Sequence, residues 1–117
     1  MALSVDTVAE RRLELRSENG TIEVIARLGG PKEVRTDEWT CECVTKFATE
    51  ERSIEIHGGD SMQALQLAMA TLDVELQHGA KLRGGTLYYF DEPFVSILED
   101  SGMQRRNGSA HPSPGAT

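Results

Sequence analysis

The sequence lacks a long apolar segment, a signal sequence and an excess of basic residues. No window holds about 18 uncharged apolar residues, so no segment is suited to cross a membrane as a helix. Residues 1–10 have neither a basic start nor an apolar run, which argues against a secretory signal peptide and favours a cytoplasmic protein. The formal net charge is −7. Such a surface repels phosphate backbones, so we expect no nucleic-acid partner.

Cysteine is also scarce, with only Cys41 and Cys43 present. On a strand these two positions share a face and lie about 6.6 Å apart, with nearly parallel Cβ directions that suit a disulfide poorly. We therefore expect two reduced, buried, small apolar residues. His57 would project from the opposite face, so a zinc site with the cysteines lacks its ligand set. We expect no metal and no cofactor.

The length of 117 residues supports one domain. Apolar residues make up 38% and charged residues 26% of the chain, which is ordinary for a globular protein. The composition changes near residue 101, beyond which the chain is rich in Gly, Ser, Pro, Asn and Arg. We predict a single domain over residues 1–100 and a disordered tail over 101–117.

An Asn19-Gly20 pair divides the alternating segment 8–28 and favours a tight hairpin turn. A two-residue turn at this pair would place Leu15 opposite Val24. The apolar side chains of both strands then share one face, while Glu and Arg share the other. Turn chemistry and alternation therefore predict the same hairpin.

A second alternating segment spans residues 39–57 and has a turn near Thr49. A tight turn there would place Cys43 opposite Ile56. The polar segment 31–38 between the two hairpins is interpreted as an exposed loop. The two hairpins together predict a four-stranded antiparallel meander with one apolar face.

Residues 61–77 contain no Gly or Pro and are rich in good helix formers. Asp60 is the expected N-cap, with Gln63 completing a capping box, and Gly79 is the expected residue just after the helix. One stripe of this helix should cover the sheet. Its members are Met62, Leu65, Ala68, Met69, Leu72 and Leu76.

A second apolar stripe, Leu67, Ala70 and Val74, lies on nearly the opposite side of the helix. A helix resting on a sheet in water should be polar there. Either the C-terminal part of the chain folds over this stripe, or the stripe is an interface with a second copy or another partner.

Residues 86–90 form a fifth expected strand. Asp91-Glu92-Pro93 resembles a helix start, with Pro at the first helical position, and predicts a short C-terminal helix ending near Gly102. The expected fold is α+β: an antiparallel four- to five-stranded β-meander packed on one amphipathic helix, with this short C-terminal helix.

Three segments together resemble a family of small bacterial proteins known only as a domain of unknown function. They are the strand Arg12-Leu13-Glu14-Leu15, the segment Trp39-Thr40-Cys41, and the helix start from Gly59 through Asp60-Ser61 to Gln63-Ala64-Leu65. The resemblance covers about residues 8–90. It implies a bacterial source and a compact α+β fold, and it assigns no activity.

Two arrangements near the helix start suggest chemistry at first sight. His57, Asp60 and Ser61 have the side chains of a hydrolytic triad, but capping occupies Asp60, and no oxyanion donors can be assigned. Gly58-Gly59 precedes a helix as in phosphate loops, but Asp60 puts negative charge where an anion would sit. We predict no catalytic residues and no enzyme.

The stretch from residue 88 to residue 100 combines aromatic and acidic residues without a base. Aromatic groups rimmed by acids suit a protein-binding surface, although an edge strand packed on the core would show the same pattern. The candidate residues are Tyr88, Tyr89, Asp91, Glu92, Phe94, Glu99 and Asp100, with Leu67 and Val74 of the second stripe. They suggest an immunity- or inhibitor-type module for a basic protein partner. The alternatives are a homodimeric scaffold protein through Leu67, Ala70 and Val74, and a small-ligand binder with a cavity between sheet and helix.

Overall fold

A computed structural model describes residues 6–98 and consists of a seven-stranded antiparallel sheet with one helix on one face. The elements are β1 (Thr7–Ser17), β2 (Gly20–Gly29), β3 (Lys32–Arg35), β4 (Glu38–Phe47), β5 (Glu50–Gly58), α1 (Ser61–Leu82), β6 (Thr86–Tyr89) and β7 (Glu92–Pro93). Within residues 6–98, α1 is not apolar enough over a sufficient length to cross a bilayer.

The sheet is built from antiparallel neighbours throughout. Strand β5 pairs with the whole of one edge of β4, and the other edge pairs first with β3 and then with β2. Strands β1, β6 and β7 continue the sheet beyond β2. The pairings place β5 and β6 in the same direction but several strands apart, so α1 crosses the sheet between them.

The face of the sheet that meets α1 carries the core. Alternation places apolar residues of β1, β2 and β4 on this face, where they are almost fully buried against small helix residues. The core consists of Leu13, Leu15, Val24, Ala26, Leu28, Cys41, Cys43, Phe47, Ala64, Ala68, Leu72, Leu76, Ala80 and Leu87. The opposite face, called here the open face, carries Arg and Glu pairs, with Ile25 and Val44 buried between them.

Both hairpin registers differ by two residues from the sequence prediction. Leu13, and not Leu15, lies opposite Val24. Cys43 lies opposite Ile54 instead of Ile56. A shift of two residues leaves every side chain on its predicted face, because the side-chain period of a strand is two. The predicted core face is therefore correct although the pairing was wrong.

The helix begins as predicted and ends later. Asp60 accepts a hydrogen bond from the Gln63 backbone N–H at 2.7 Å, as predicted for the N-cap. Gln63 Oε1 accepts from the N–H of Gly59, one residue before the N-cap, so the arrangement is a variant of the predicted capping box. Gly79 was predicted to follow the last helical residue, but the structure buries it within the helix. Met62, predicted to face the sheet, stands in the first turn of the helix and is 64% exposed.

The strand count and the C-terminal helix are corrected by the structure. The predicted loop 31–38 contains β3, which pairs with the start of β4. Pro93 does not start a helix but lies in β7, at an edge where proline is tolerated. Residues 94–98 form no helix, and the Phe94 N–H donates to the carbonyl of Leu87. The predicted tail at 101–117 lies outside the described residues.

The described C-terminal segment passes beside the second helix stripe. Asp73 accepts hydrogen bonds from the backbone N–H groups of Ile97 and Leu98, which holds this segment against the flank of α1. Leu67 remains 44% exposed and Val74 64% exposed. Residues 93–98 therefore do not cover the stripe.

Candidate protein-binding surface

The β6–β7 hairpin ends in a turn with an unusual composition. Tyr89 pairs with Glu92, so Phe90 and Asp91 are the two central residues of the turn. Their φ angles are 51° and 65°. Turns with positive φ at both central positions normally carry Gly or Asn, because a bulky side chain is disfavoured there. Phe90 is also 83% exposed, so a large apolar ring is held in solvent on a strained backbone.

The aromatic residues of this stretch divide between the two faces of the sheet. Tyr88 lies on the open face, and the Arg16 guanidinium carbon stands 4.1 Å from its ring centroid. Tyr89 lies on the helix face under the Arg11 guanidinium, at 4.5 Å. Phe94 packs against the core. The sequence predicted that Tyr88, Tyr89 and Phe94 belong to one surface. In the structure, Tyr88 is the one of these three residues that lies on the open face.

Tyr88, Phe90 and Asp91 border a cleft of about 440 Å³ on the open face. The cleft lies at the end of the sheet formed by the β1–β2 hairpin and β6. Its lining residues are Arg12, Leu13, Glu14, Thr21, Ile22, Glu23, Tyr88, Phe90 and Asp91. The cleft thus combines two aromatic rings with three carboxylates.

The carboxylates at the cleft are held by two arginines. Arg16 binds Glu14 at 2.8 Å and Asp91 at 2.5 Å, which ties the β6–β7 turn to β1. Arg12 donates to Glu23 at 2.9 Å. The hydrogen bond to Glu23, with the charge of nearby Glu10, raises the pKa of Arg12, and the bonds to Glu14 and Asp91 raise that of Arg16.

Several candidate residues lie away from this cleft. Glu99 and Asp100 are outside the described residues. Leu67 and Val74 are on the outer side of α1, which covers the other face of the sheet. Sequence reasoning placed Phe90 at the end of a strand. It missed the turn, because Phe is disfavoured at positive φ and the following Asp alone is a weak signal. It missed the arginines, because pairing across strands is not visible in the sequence.

The two arrangements near the helix start have structural roles. Asp60 caps the helix, while His57 lies on the open face with Nδ1 3.3 Å from Glu38 Oε2 and Nε2 3.7 Å from Glu55 Oε1. A Cβ atom on Gly58 would stand 2.5 Å from the backbone nitrogen of Ala64, so this glycine permits the close approach of helix and strand. These contacts give Asp60, His57 and Gly58 structural roles.

Both cysteines are free and buried on the helix face of β4. Cys41 Sγ donates to the carbonyl of Gly29 at 3.3 Å. Burial, followed by the nearby Cys41, raises the pKa of the Cys43 thiol to about 11. Within residues 6–98, no group of three His, Cys, Asp or Glu side chains is placed to hold a metal ion.

The fold and its candidate surface define a small α+β domain in which one helix covers an antiparallel sheet and an aromatic turn projects from the sheet end. The chain belongs to a family described as a domain of unknown function, DUF6968, whose model matches residues 9–96. No curated protein and no solved structure matches the chain.

Proposed function

We propose that this domain is a non-catalytic protein-binding module of the immunity or inhibitor type, and that its binding surface is the acidic-aromatic cleft at the β6–β7 turn. The observation that carries the proposal is Phe90, whose ring is 83% exposed on a backbone with φ of 51°. Strain of this kind persists when the surrounding structure enforces it, and it clusters at functional sites. Burial of the Phe90 ring by a partner would explain why the chain holds this ring in solvent on a strained turn.

The charge of the surface indicates the chemistry of the partner. Glu14, Glu23 and Asp91 stand around the aromatic rings, and the whole chain carries a net charge of −7. A basic protein segment suits this surface, because its cations can contact both the carboxylates and the ring faces. Arg16 already covers one face of Tyr88, so a cation of the partner would contact the Phe90 ring, which is 83% exposed.

The experiment compares capture of partners from cells of the source organism by the wild-type domain and by two matched variants. Phe90→Asn removes the ring and suits the positive φ, so the fold should be retained. Val34→Asn removes an exposed apolar side chain on β3, distant from the cleft. We expect Phe90→Asn to lose the partner and Val34→Asn to retain it. Equal capture by all three proteins would refute the proposal.

Charge neutralisation gives a second measurement once the partner is purified. Asp91→Asn combined with Glu23→Gln should slow association and flatten its dependence on salt, since steering by charge acts mainly on the association rate. An association rate that is unchanged at low salt would show that these carboxylates of the cleft have no part in binding.

A homodimeric scaffold is the second candidate function, and the exposed stripe of α1 favours it. Leu67 and Val74 are 44% and 64% exposed, with Ala70 between them also exposed.

The remaining alternative is a small-ligand site between sheet and helix. The cavity there, lined partly by Arg11, Met69 and Ile97, measures about 170 Å³. That is below the roughly 300 Å³ at which ligand pockets begin, so we do not propose it.

A further inference from the structure

Strand β5 ends the sheet, and its outer edge pairs with no other strand among residues 6–98. The strand pairs with β4 continuously from Glu50 to Gly58 without a register shift, so it offers a straight edge of nine residues. It contains no Pro, Lys or bulge. Charged side chains also protect sheet edges, and this strand carries Glu50, Glu51, Arg52 and Glu55, so pairing requires a register that keeps like charges apart. A straight edge presents backbone donors and acceptors with which another strand can pair.

The side chains of β5 are complementary to the same strand in a second copy. In an antiparallel pair of identical strands, the two-fold axis lies midway between the two copies of one residue if both helices cover the same face of the joined sheet. The midpoint of β5 is Ile54, and an axis there pairs all nine residues. Glu51 of each copy then lies opposite His57 of the other copy, which gives two Glu–His pairs.

The neighbouring registers are disfavoured by like charges. An axis through Ser53 places Glu51 opposite the second copy's Glu55, twice. An axis through Glu55 places this carboxylate opposite itself. Like charges directly opposite each other on a sheet destabilise the pair. In the register through Ile54, Glu55 is opposite Ser53, so no like charges meet.

We propose that β5 pairs antiparallel with β5 of a second copy about a two-fold axis at Ile54, so that one continuous sheet runs through both subunits. Residues 51, 53, 55 and 57 lie on the open face, and Arg52, Ile54 and Ile56 lie on the face of α1. The proposal does not rest on the acidic-aromatic cleft, which lies toward β6 and β7 at the other end of the sheet. A dimer formed this way leaves both clefts accessible.

Disulfide trapping tests the register. In the proposed pair residues 51 and 57 of opposite copies have Cα atoms about 5 Å apart, which a disulfide spans. Residue 51 of one copy lies about 20 Å along the strand from residue 51 of the other. We expect Glu51→Cys mixed with His57→Cys to cross-link under oxidation, and neither variant to cross-link alone. The mixed dimer keeps one native Glu51–His57 opposition. No cross-link in the mixture, or equal cross-linking of one variant alone, overturns the register.

Sedimentation over a concentration series tests the association itself. We expect the wild-type chain to form a dimer and His57→Glu to weaken it by roughly tenfold, since two favourable oppositions become repulsive. His78→Glu makes the same chemical change on the exposed surface of α1, near the Leu67–Val74 stripe, and should leave the dimer intact. A wild-type chain that stays monomeric overturns the proposal. Dissociation by His78→Glu, with none by His57→Glu, overturns it in favour of the helix stripe.

Discussion

Gly79 in α1 lies against the aromatic ring of Phe47 in β4, so closely that a Cβ atom on the glycine would stand 2.5 Å from two ring carbons. The Arg83 guanidinium carbon lies 4.3 Å from the centroid of the same ring. The helix can approach the sheet at this point only because residue 79 has no side chain. Glycine is therefore retained inside a helix, where it is otherwise unfavourable.

We predict that Gly79→Ala destabilises the domain by up to about 2 kcal/mol in urea denaturation. Alanine is better than glycine in a helix by about 1 kcal/mol, but forcing a methyl group into a packed site costs about 1–3 kcal/mol. The cost should shrink when Phe47→Leu is also present, because the smaller side chain vacates the space. A stabilised Gly79→Ala variant would contradict the close contact.

The alternation of apolar and polar residues correctly predicted the face that forms the core. The pairing of the strands was predicted less well, because it depends on which residues form the turns. Asn19-Gly20 indicated a turn centred on these residues, but Gly20 pairs with Ser17 and has a φ of 114°, so the turn is one residue earlier. Ala48 adopts positive φ in the next turn without any sequence signal. The backbone conformation of one or two turn residues decides the register, while burial decides the face.

The helix predicted for the C-terminal segment was wrong because Pro93 is compatible with both a helix start and an edge strand. Proline is favoured at the first position of a helix and also tolerated on an edge strand. The choice depends on long-range contacts, since the Phe94 N–H pairs with Leu87 and the Asp73 carboxylate accepts from Ile97 and Leu98. The cleft was unpredictable for the same reason, because Arg12 and Arg16 reach it from β1.

The strained turn makes a prediction about stability that is separate from binding. Left-handed backbone costs a residue with a Cβ atom about 1 kcal/mol, and Asn tolerates it better than Phe. Phe90→Asn also loses a ring contact with Tyr89, at 4.6 Å. We expect the variant to be equal to the wild type or more stable by up to about 0.5 kcal/mol in thermal unfolding.

The matched comparison is the same substitution at the second phenylalanine of this stretch. Phe94 packs against the core, so Phe94→Asn should cost about 2–4 kcal/mol by loss of buried apolar surface. If both substitutions were equally destabilising, Phe90 would have a packing role, and its exposure would carry no functional argument.

Asp73 is predicted to hold the C-terminal segment in place. Its carboxylate accepts from the Ser96 hydroxyl and from two backbone N–H groups, and hydrogen bonds to a charged group contribute about 1.5–3 kcal/mol each at most. We expect Asp73→Ala to speed amide hydrogen exchange at Ile97 and Leu98 while the amides of β2 stay protected. Gln66→Ala, at an exposed position of the same helix, should change neither. Unchanged exchange at residue 97 would mean that apolar packing alone fixes the segment.

The buried Cys43 thiol should make the domain sensitive to alkali. Burial raises its pKa from 9.0 to about 11 in the folded chain, so the folded state binds its proton more tightly than the unfolded state does. This contribution to stability is complete below pH 9 and is lost as the pH rises through about 11, with a size of the order of 2 kcal/mol. Cys43→Ala should be less stable at neutral pH, because it leaves a cavity, but its stability should fall less steeply over this pH interval. Urea denaturation at several pH values gives both curves. Parallel curves for the two proteins would show that the thiol does not govern the alkaline transition.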